Sequence, residues 1–299
     1  MEGRVIKTTG SWYEVKVGDK KFKQDNLKLT NPIAVGDYVI LDREKNQETA
    51  VINTIVPREN YIIRKSTRKQ HFSHILAANV DQAYLMVTVR DPRTSLGFID
   101  RFLVSTESFR IPCTLLVNKI ETLTKKKDLD FLEELHDIYG PLGYPIIELS
   151  ALHDKDLMEK FEPGLTGKTT LMAGHSGVGK STLLNRLVPQ ATQATQEVSK
   201  FSSKGVHTTT FAEMFPFGES GYFIDTPGIK EFGILDIDDQ ELSHYFVELR
   251  KYLGQCKYNN CKHINEPGCK VLEVLEQGYI HPYRYENYLK IMSEEDSHR

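Results

Sequence analysis

A glycine-rich segment in the second half of the chain has the spacing of a phosphate-binding loop. Residues 174–181 read GHSGVGKS, which fits the pattern G-x-x-x-x-G-K-S. In this motif backbone N–H groups cradle the phosphates, the lysine reaches the β- and γ-phosphates, and the serine hydroxyl ligates Mg²⁺. An apolar strand precedes the segment and a helix is predicted after it, so bound phosphates would meet a helix N-terminus. We expect this segment and the next residue to bind the nucleotide: Gly174, His175, Ser176, Gly177, Val178, Gly179, Lys180, Ser181 and Thr182. Of these, Lys180 is also expected to be catalytic and Ser181 to bind magnesium.

A second phosphate-side motif, DTPG, begins at Asp225, 44 residues after Ser181. It follows the apolar strand GYFI. An aspartate at this place fits the Walker-B role of holding Mg²⁺ through water, and the N–H of Gly228 can meet the γ-phosphate. Between the two motifs lies GVHTTT at 205–210, where Thr208 or Thr209 is expected to complete the Mg²⁺ shell. The spacing does not decide between these two threonines.

Two further motifs lie before the phosphate loop. Asn118, Lys119, Ile120 and Glu121 follow the strand CTLLV, and Ser150-Ala151 follows the strand PIIEL. They are similar to the guanine-recognition motifs N-K-x-D and S-A-K of GTPases. A carboxylate at 121 can accept from the guanine N1–H and 2-amino group, the lysine stem can lie along the base, and the 151 amide can meet O6. Glu121 stands where Asp is usual, and its extra methylene puts guanine selectivity in question.

The order of these motifs is unusual. In ordinary GTPases the phosphate loop comes first and the base motifs come last, whereas this chain has base motifs, phosphate loop, switch segment and then DTPG. Domain termini often lie close together and can be rejoined. We therefore predict a circularly permuted GTPase domain.

A cysteine and histidine cluster lies near the C-terminus. Cys256, Cys261, His263 and Cys269 provide three thiolates and one imidazole within 14 residues. Four such ligands form a closed, structural zinc site rather than a catalytic one. Cys113 lies inside an apolar strand and is expected in the core. Lysines and tyrosines around the cluster could meet RNA phosphates and unpaired bases, or be ordinary surface and packing residues: Lys251, Lys257, Lys262, Lys270, Tyr245, Tyr252, Tyr258 and Tyr279.

The pattern of elements predicts a multidomain protein in three parts. Residues 1–66 contain about five short, alternating strands, which suit a small OB-type β-barrel; the basic stretch 58–71 is predicted to be the linker out of it. Residues 67–235 alternate strands with helices, which indicates an α/β domain with a parallel sheet. Residues 236–299 are predicted to be mainly helical and to bind zinc.

Composition and charge add mild constraints. The chain has 299 residues and a formal net charge of −3, yet residues 1–70 carry 14 Lys+Arg against 9 Asp+Glu. A basic N-terminal quarter on an acidic body is equally compatible with a polyanion partner and with a plain solvated surface. No signal peptide and no transmembrane helix is predicted, so we expect a cytoplasmic protein.

These features together resemble the ribosome small subunit-dependent GTPase A family of bacteria. The resemblance rests on GHSGVGKST, DTPG, the HTT switch, the permuted order and the C-x4-C-x-H-x5-C tail, and it spans nearly the whole chain. It implies a monomeric, low-turnover GTPase that uses Mg²⁺ and zinc, binds GTP and GDP, and does not associate with membranes. It also implies binding to the small ribosomal subunit and its rRNA late in maturation, with activation by that subunit. Val206 departs from the family, which often has Arg there.

The group that activates the attacking water is not evident from the motifs alone. Ras-type enzymes use a Gln after the switch glycine, but Ile229 stands there, and an apolar side chain cannot bond to water. The resemblance points to His207, whose neutral imidazole can accept from a water near pH 7; the ribosome could supply the group instead. Two alternatives to a ribosome-activated GTPase stay open: a nucleotide-gated RNA-binding module and a metabolic P-loop enzyme.

Overall fold

The computed structural model describes residues 1–8, 12–18, 20–25, 32–43, 50–64, 74–188, 212–225, 237 and 240–296. The predicted His207, Thr208, Thr209 and Gly228 lie outside these residues. Within them, no helix combines the length and the apolar character that crossing a membrane requires.

Within its described residues, the N-terminal part contains five antiparallel strands, in agreement with the number predicted. They are β1 (Glu2–Thr8), β2 (Trp12–Val17), β3 (Lys20–Asp25), β4 (Tyr38–Arg43) and β5 (Ala50–Ile55). Strand β1 pairs with both β2 and β4, β2 pairs with β3, β4 pairs with β5, and β3 lies near β5. Alternate side chains such as Val5, Val15, Val39 and Leu41 point into a shared apolar core, as the period of two along a strand requires. The OB-type closure of these strands stays a prediction.

The segment predicted as a linker contains a strand. Residues 61–64 form β6 (Tyr61–Arg64), which pairs antiparallel with β7 (His74–Ala78). The linker prediction for 58–71 is therefore wrong at β6. The basic residues around β6 outweighed its apolar pair, Ile62 and Ile63, in the sequence pattern. Ile62 is fully buried in the hydrophobic core that it shares with the central sheet. The hairpin spans the predicted boundary at residue 66.

A mixed sheet forms the centre of the molecule. Its elements are β8 (Gln82–Thr88), α1 (Leu96–Ser108), β9 (Cys113–Asn118), α2 (Lys126–Tyr139), β10 (Ile146–Leu149), α3 (Leu157–Leu165), β11 (Thr169–Ala173), α4 (Lys180–Leu187), β12 (Glu213–Phe217) and β13 (Gly221–Asp225). The order is β10-β9-β8-β11-β13-β12, and the first five strands are parallel. Strand β12, which the sequence analysis did not predict, is antiparallel to β13. Because β12 also pairs with β1, the central sheet continues into the N-terminal strands.

The C-terminal part is mainly helical, as predicted. A 3-10 turn at Leu242–Tyr245 is followed by α5 (Val247–Arg250), α6 (Lys270–Glu276) and α7 (Pro282–Asp296). Its apolar core also includes Val104 of α1. This part therefore packs directly on a helix of the central domain.

A buried ionic cluster joins α7 to α1. Arg284 is fully buried and contacts Asp100 through Nη1 at 2.6 Å and Glu248 through Nε at 2.6 Å. Tyr139 donates its hydroxyl to Asp100 at 2.7 Å, and Asn287 donates to the other oxygen of Asp100. Burial alone would lower the pKa of Arg284, but the two carboxylates raise it well above its ordinary value. The guanidinium therefore stays charged and satisfies both acids.

Removing this guanidinium should be costly, because it leaves two carboxylates buried without a counter-charge. We expect Arg284→Ala to lower the free energy of unfolding by about 3–5 kcal/mol. The matched control is Arg250→Ala, which breaks the exposed contact of Arg250 with Glu107 and should cost less than about 1 kcal/mol. Urea denaturation of both variants measures the difference; equal losses would contradict the assigned role of Arg284.

Candidate nucleotide-binding site and metal cluster

The predicted phosphate and base motifs meet at one edge of the central sheet. Strands β8, β9, β10, β11 and β13 are parallel, so their carboxyl ends share that edge, where open α/β sheets bind their ligands. Asn118 ends β9, Ser150 follows β10, the phosphate loop follows β11 and Asp225 ends β13. Segments that are far apart in the sequence are thereby brought together.

The phosphate loop requires glycine at two positions for steric reasons. Gly174 has φ 142°, and a Cβ there would lie 2.4 Å from the carbonyl oxygen of Met86. Gly179 has φ 107°, and its Cβ would lie 2.2 Å from Nδ2 of Asn118. Neither space nor backbone conformation admits a side chain. The loop can therefore turn its amides inward and let the base motif approach it.

Lys180 is folded back into the loop. Its Nζ donates to the carbonyl oxygens of Gly174 at 2.6 Å and His175 at 2.8 Å. Burial lowers the pKa of Lys180, and the negative charge of Asp225 opposes that shift. The ammonium is thus held over the hollow of the loop, where the motif predicts the phosphates.

Asp225 presents an unsatisfied acceptor in the same place. Its Oδ1 is buried and has no hydrogen-bond partner within the described ranges. Burial raises the pKa of Asp225, and the charge of Lys180 counteracts the rise. A buried, unpaired carboxylate oxygen is costly unless a ligand satisfies it. The arrangement fits a Mg²⁺ ion with its water shell, together with the exposed hydroxyl of Ser181.

Asn118 connects the phosphate loop with the base motifs. It is buried; its Nδ2 donates to the carbonyl oxygen of Val178 at 2.7 Å, and its Oδ1 accepts from the amide of Ala151 at 2.8 Å. The sequence analysis assigned that amide to guanine O6; here it is bonded to Asn118, and its role toward guanine stays a prediction. Both polar ends of one side chain are therefore used to hold two loops.

The remaining base-motif residues, Lys119, Ile120 and Glu121, follow directly after Asn118 at the end of β9. Lys119 has φ 66° and donates its Nζ to the carbonyl oxygen of Asp91. Ile120 and Glu121 lie in a 3-10 turn, with Glu121 exposed to solvent. The turn leaves the Glu121 carboxylate accessible to a base placed against the stem of Lys119.

Several residues of this site have no signal in the sequence. Phe98 of α1 lies against His175 with ring centroids 3.8 Å apart, and burial followed by the charge of Lys180 lowers the pKa of His175. Asp154 and Arg186 bond to the loop that contains Ser150. The Phe98–His175 and Arg186–Ala151 contacts join segments distant in sequence, so no local motif indicates them, whereas Asp154 bonds to the amide of Ser150 four residues earlier.

The predicted metal ligands form a compact cluster. One ligand atom from each of Cys256, Cys261, His263 and Cys269 lies within 4.8 Å of the others. Nδ1 of His263 is 3.5 Å from Sγ of Cys256 and 3.4 Å from Sγ of Cys269, and these two sulfurs are 3.9 Å apart. Tetrahedral zinc with bonds of about 2.0–2.3 Å places such ligand atoms about 3.5–3.8 Å from each other. The donor set and spacing are compatible with zinc and exclude a disulfide between Cys256 and Cys269.

The backbone around the cluster is held by the C-terminal helix. Tyr285 donates its hydroxyl to the carbonyl oxygen of His263 at 2.7 Å, and Tyr288 donates to that of Lys262 at 2.6 Å. His263 itself adopts φ 58°, a left-handed conformation that these bonds stabilise.

Cys113 lies in the core of the sheet, as predicted.

Known proteins similar to this chain share its whole length. The RsgA GTPase family model matches residues 55–235. The "Small ribosomal subunit biogenesis GTPase RsgA" of Bacteroides fragilis is 47% identical over 99% of this chain and 97% of its own length. The protein of the same name from Cytophaga hutchinsonii is 47% identical over 100% of both chains.

Two solved structures have the same fold. YloQ, described as a circularly permuted GTPase, superposes with a TM-score of 0.76 at 28% identity, over 100% of this chain and 96% of its own. YjeQ from Thermotoga maritima superposes with a TM-score of 0.75 at 34% identity, over 98% and 97%. With the permuted motif order and the phosphate loop described above, these matches establish that the chain is a GTP-hydrolysing enzyme that belongs to the RsgA GTPase family.

Proposed function

We propose that this enzyme couples GTP hydrolysis to late maturation of the small ribosomal subunit, binds the rRNA of that subunit and is activated by it. The observation that carries the proposal is the phosphate site of Lys180 and Asp225, tied by Asn118 to the base motifs. The names of full-length relatives, "Small ribosomal subunit biogenesis GTPase RsgA", point to the subunit as the partner.

The proposed chemistry follows from the residues at the phosphate site. Lys180 exchanges its bonds to two loop carbonyls for the β- and γ-phosphates, so its charge is already positioned before GTP binds. Ser181 and Asp225 hold Mg²⁺, with Thr208 or Thr209 completing the shell. When bound, Mg²⁺ neutralises charge that develops on the transferred phosphoryl group. Guanine lies between Lys119 and the loop at Ser150, with its edge read by Glu121.

The γ-phosphate and the attacking water are assigned to residues outside the described ranges. We infer that the amide of Gly228 meets the γ-phosphate and that His207 orients the water, since Ile229 cannot. A water-orienting group that acts fully only on the subunit would account for the low turnover that the family resemblance implies.

The three predicted parts have separate proposed roles. Residues 67–235 hydrolyse GTP, residues 1–66 form an OB-type barrel that binds RNA, and residues 236–299 form a zinc domain that also contacts RNA. The basic balance of the first 70 residues supports the second role, and the Cys₃His cluster supports the zinc. We further propose that the protein acts as a monomer in the cytoplasm.

The function is tested by GTP turnover with and without purified small ribosomal subunits. We expect subunits to stimulate wild-type turnover, Lys180→Ala to abolish it under both conditions, and His207→Ala to lose most of the stimulated part while keeping GTP affinity. Orientation of the water acts on the transition state more than on the bound ground state, which is why affinity is spared.

The other outcomes distinguish the alternatives. Tight, nucleotide-dependent subunit binding without stimulation would favour an RNA-binding module whose hydrolysis is incidental. Indifference to subunits would favour a metabolic P-loop enzyme. Unchanged stimulated turnover in His207→Ala would shift the water-orienting role to a group from the ribosome.

The metal site is tested by elemental analysis. We expect one zinc per chain, lost in Cys256→Ser and retained in the matched variant Cys113→Ala, whose cysteine lies in the sheet core. Chelation should unfold the C-terminal part and leave nucleotide binding largely intact, because structural zinc stabilises the fold locally. A folded C-terminal part that contains no metal would refute the assignment.

A further inference from the structure

The loop after β10, residues 150–154, is held by two side chains of other segments, Asn118 and Arg186, and by the side chain of its own Asp154. Asn118 accepts from the amide of Ala151, and the Oδ2 of Asp154 accepts from the amide of Ser150 at 3.0 Å. Arg186 donates Nη1 to the carbonyl oxygen of Ala151 at 3.0 Å and Nη2 to that of Asp154. The conformation of this loop is therefore set by its surroundings as well as by its own sequence.

One amide of this loop is left available by the arrangement. The amide of Ala151 is donated to Asn118, whereas the amide of Leu152 has no partner among the residues that the structure describes. The side chain of Leu152 is 65% exposed. At residue 152 the loop thus has an N–H without a partner among the described residues and an exposed apolar side chain.

We propose that Arg186 is a positioning residue for guanine recognition, which holds the 150–154 loop so that a loop amide meets guanine O6. This inference rests on the proposed guanine site. The planar guanidinium can bond to two carbonyl oxygens at once. A lysine would keep the charge, but its single ammonium nitrogen would replace the two separate nitrogens, Nη1 and Nη2, with which Arg186 reaches the carbonyls of Ala151 and Asp154.

The effect of Arg186 should concern the base rather than the phosphates. Arg186 lies six residues after Lys180 on α4, which is about 9 Å along a helix axis. Lys180 is held by the carbonyls of its own loop, and none of these bonds involves Arg186. Loss of the guanidinium should therefore loosen the base loop without displacing the phosphate loop.

The test compares the dissociation constants of GDP, IDP and ADP for wild type, Arg186→Ala and Arg186→Lys. IDP lacks the 2-amino group of GDP but keeps O6, whereas ADP carries an amino group in place of O6. In Arg186→Ala we expect GDP and IDP to bind about tenfold more weakly, as for a lost charge-assisted hydrogen bond, and ADP to be unaffected. Arg186→Lys should give an intermediate loss. Arg250→Ala, which removes another exposed arginine far from the loop, is the matched control and should change none of the three.

Each outcome bears on a separate claim. If wild type does not prefer GDP to ADP, the proposed guanine site fails before Arg186 is tested. If wild type prefers GDP and Arg186→Ala keeps the full preference, or weakens GDP and ADP equally, the positioning role is overturned and the guanine site stands. Should Arg186→Ala fail to fold, Arg186→Lys decides, because undiminished preference in that variant contradicts the need for two bonds.

Discussion

The nucleotide site depends on one buried side-chain amide, that of Asn118. Its donor end holds the carbonyl oxygen of Val178 in the phosphate loop, and its acceptor end holds the amide of Ala151 in the loop after β10. Both loops extend from parallel strands, which fixes their general direction but not the gap between them. The asparagine sets that gap, and the absence of a side chain at Gly179 is what allows its approach. An unmet buried donor or acceptor costs about 1–3 kcal/mol, so neither loop can move independently.

The rest of the molecule is attached to the same rigid sheet from two sides. On one side β1 pairs with β12, and Lys7 contacts Glu213 across that pair at 2.9 Å. On the other side α1 carries Phe98 against the phosphate loop and Asp100 against Arg284 of the C-terminal helix. A single helix thus contacts both the nucleotide site and the C-terminal part. A reorientation of the nucleotide site or of the C-terminal part would therefore be transmitted to the other through packed side chains.

Sequence reasoning succeeded where chemistry is contained in a short segment. The phosphate loop, the four strands that precede the motifs (β9, β10, β11 and β13) and the spacing of Cys256 to Cys269 could be predicted because backbone conformation and ligand chemistry act over a few residues. Strands β6 and β12 were not predicted. At β6 the basic neighbours outweighed the apolar character of the buried Ile62, and at β12 the presence of Pro216 argued against a strand. Arg186 and Arg284 could not have been found, because their roles are defined by carbonyls and carboxylates from distant parts of the chain. His207, Thr208 and Thr209 of the switch segment lie outside the described residues, so their assigned roles rest on the sequence alone.

Asn118 thus holds the phosphate and base loops as one unit. The most direct measurement is the binding of GDP and ADP to Asn118→Asp, which keeps an acceptor for Ala151 but turns an oxygen toward the carbonyl of Val178. The matched control is Asn60→Asp, since Asn60 likewise bonds with both the N–H and the carbonyl of one residue, Val80, at 2.8 and 2.9 Å, away from the nucleotide site. We expect the affinities for GDP and ADP to fall together by at least about tenfold in Asn118→Asp, the equivalent of one lost hydrogen bond, and to remain unchanged in Asn60→Asp. A loss confined to GDP would contradict this expectation, because Asn118 would then act on the base alone.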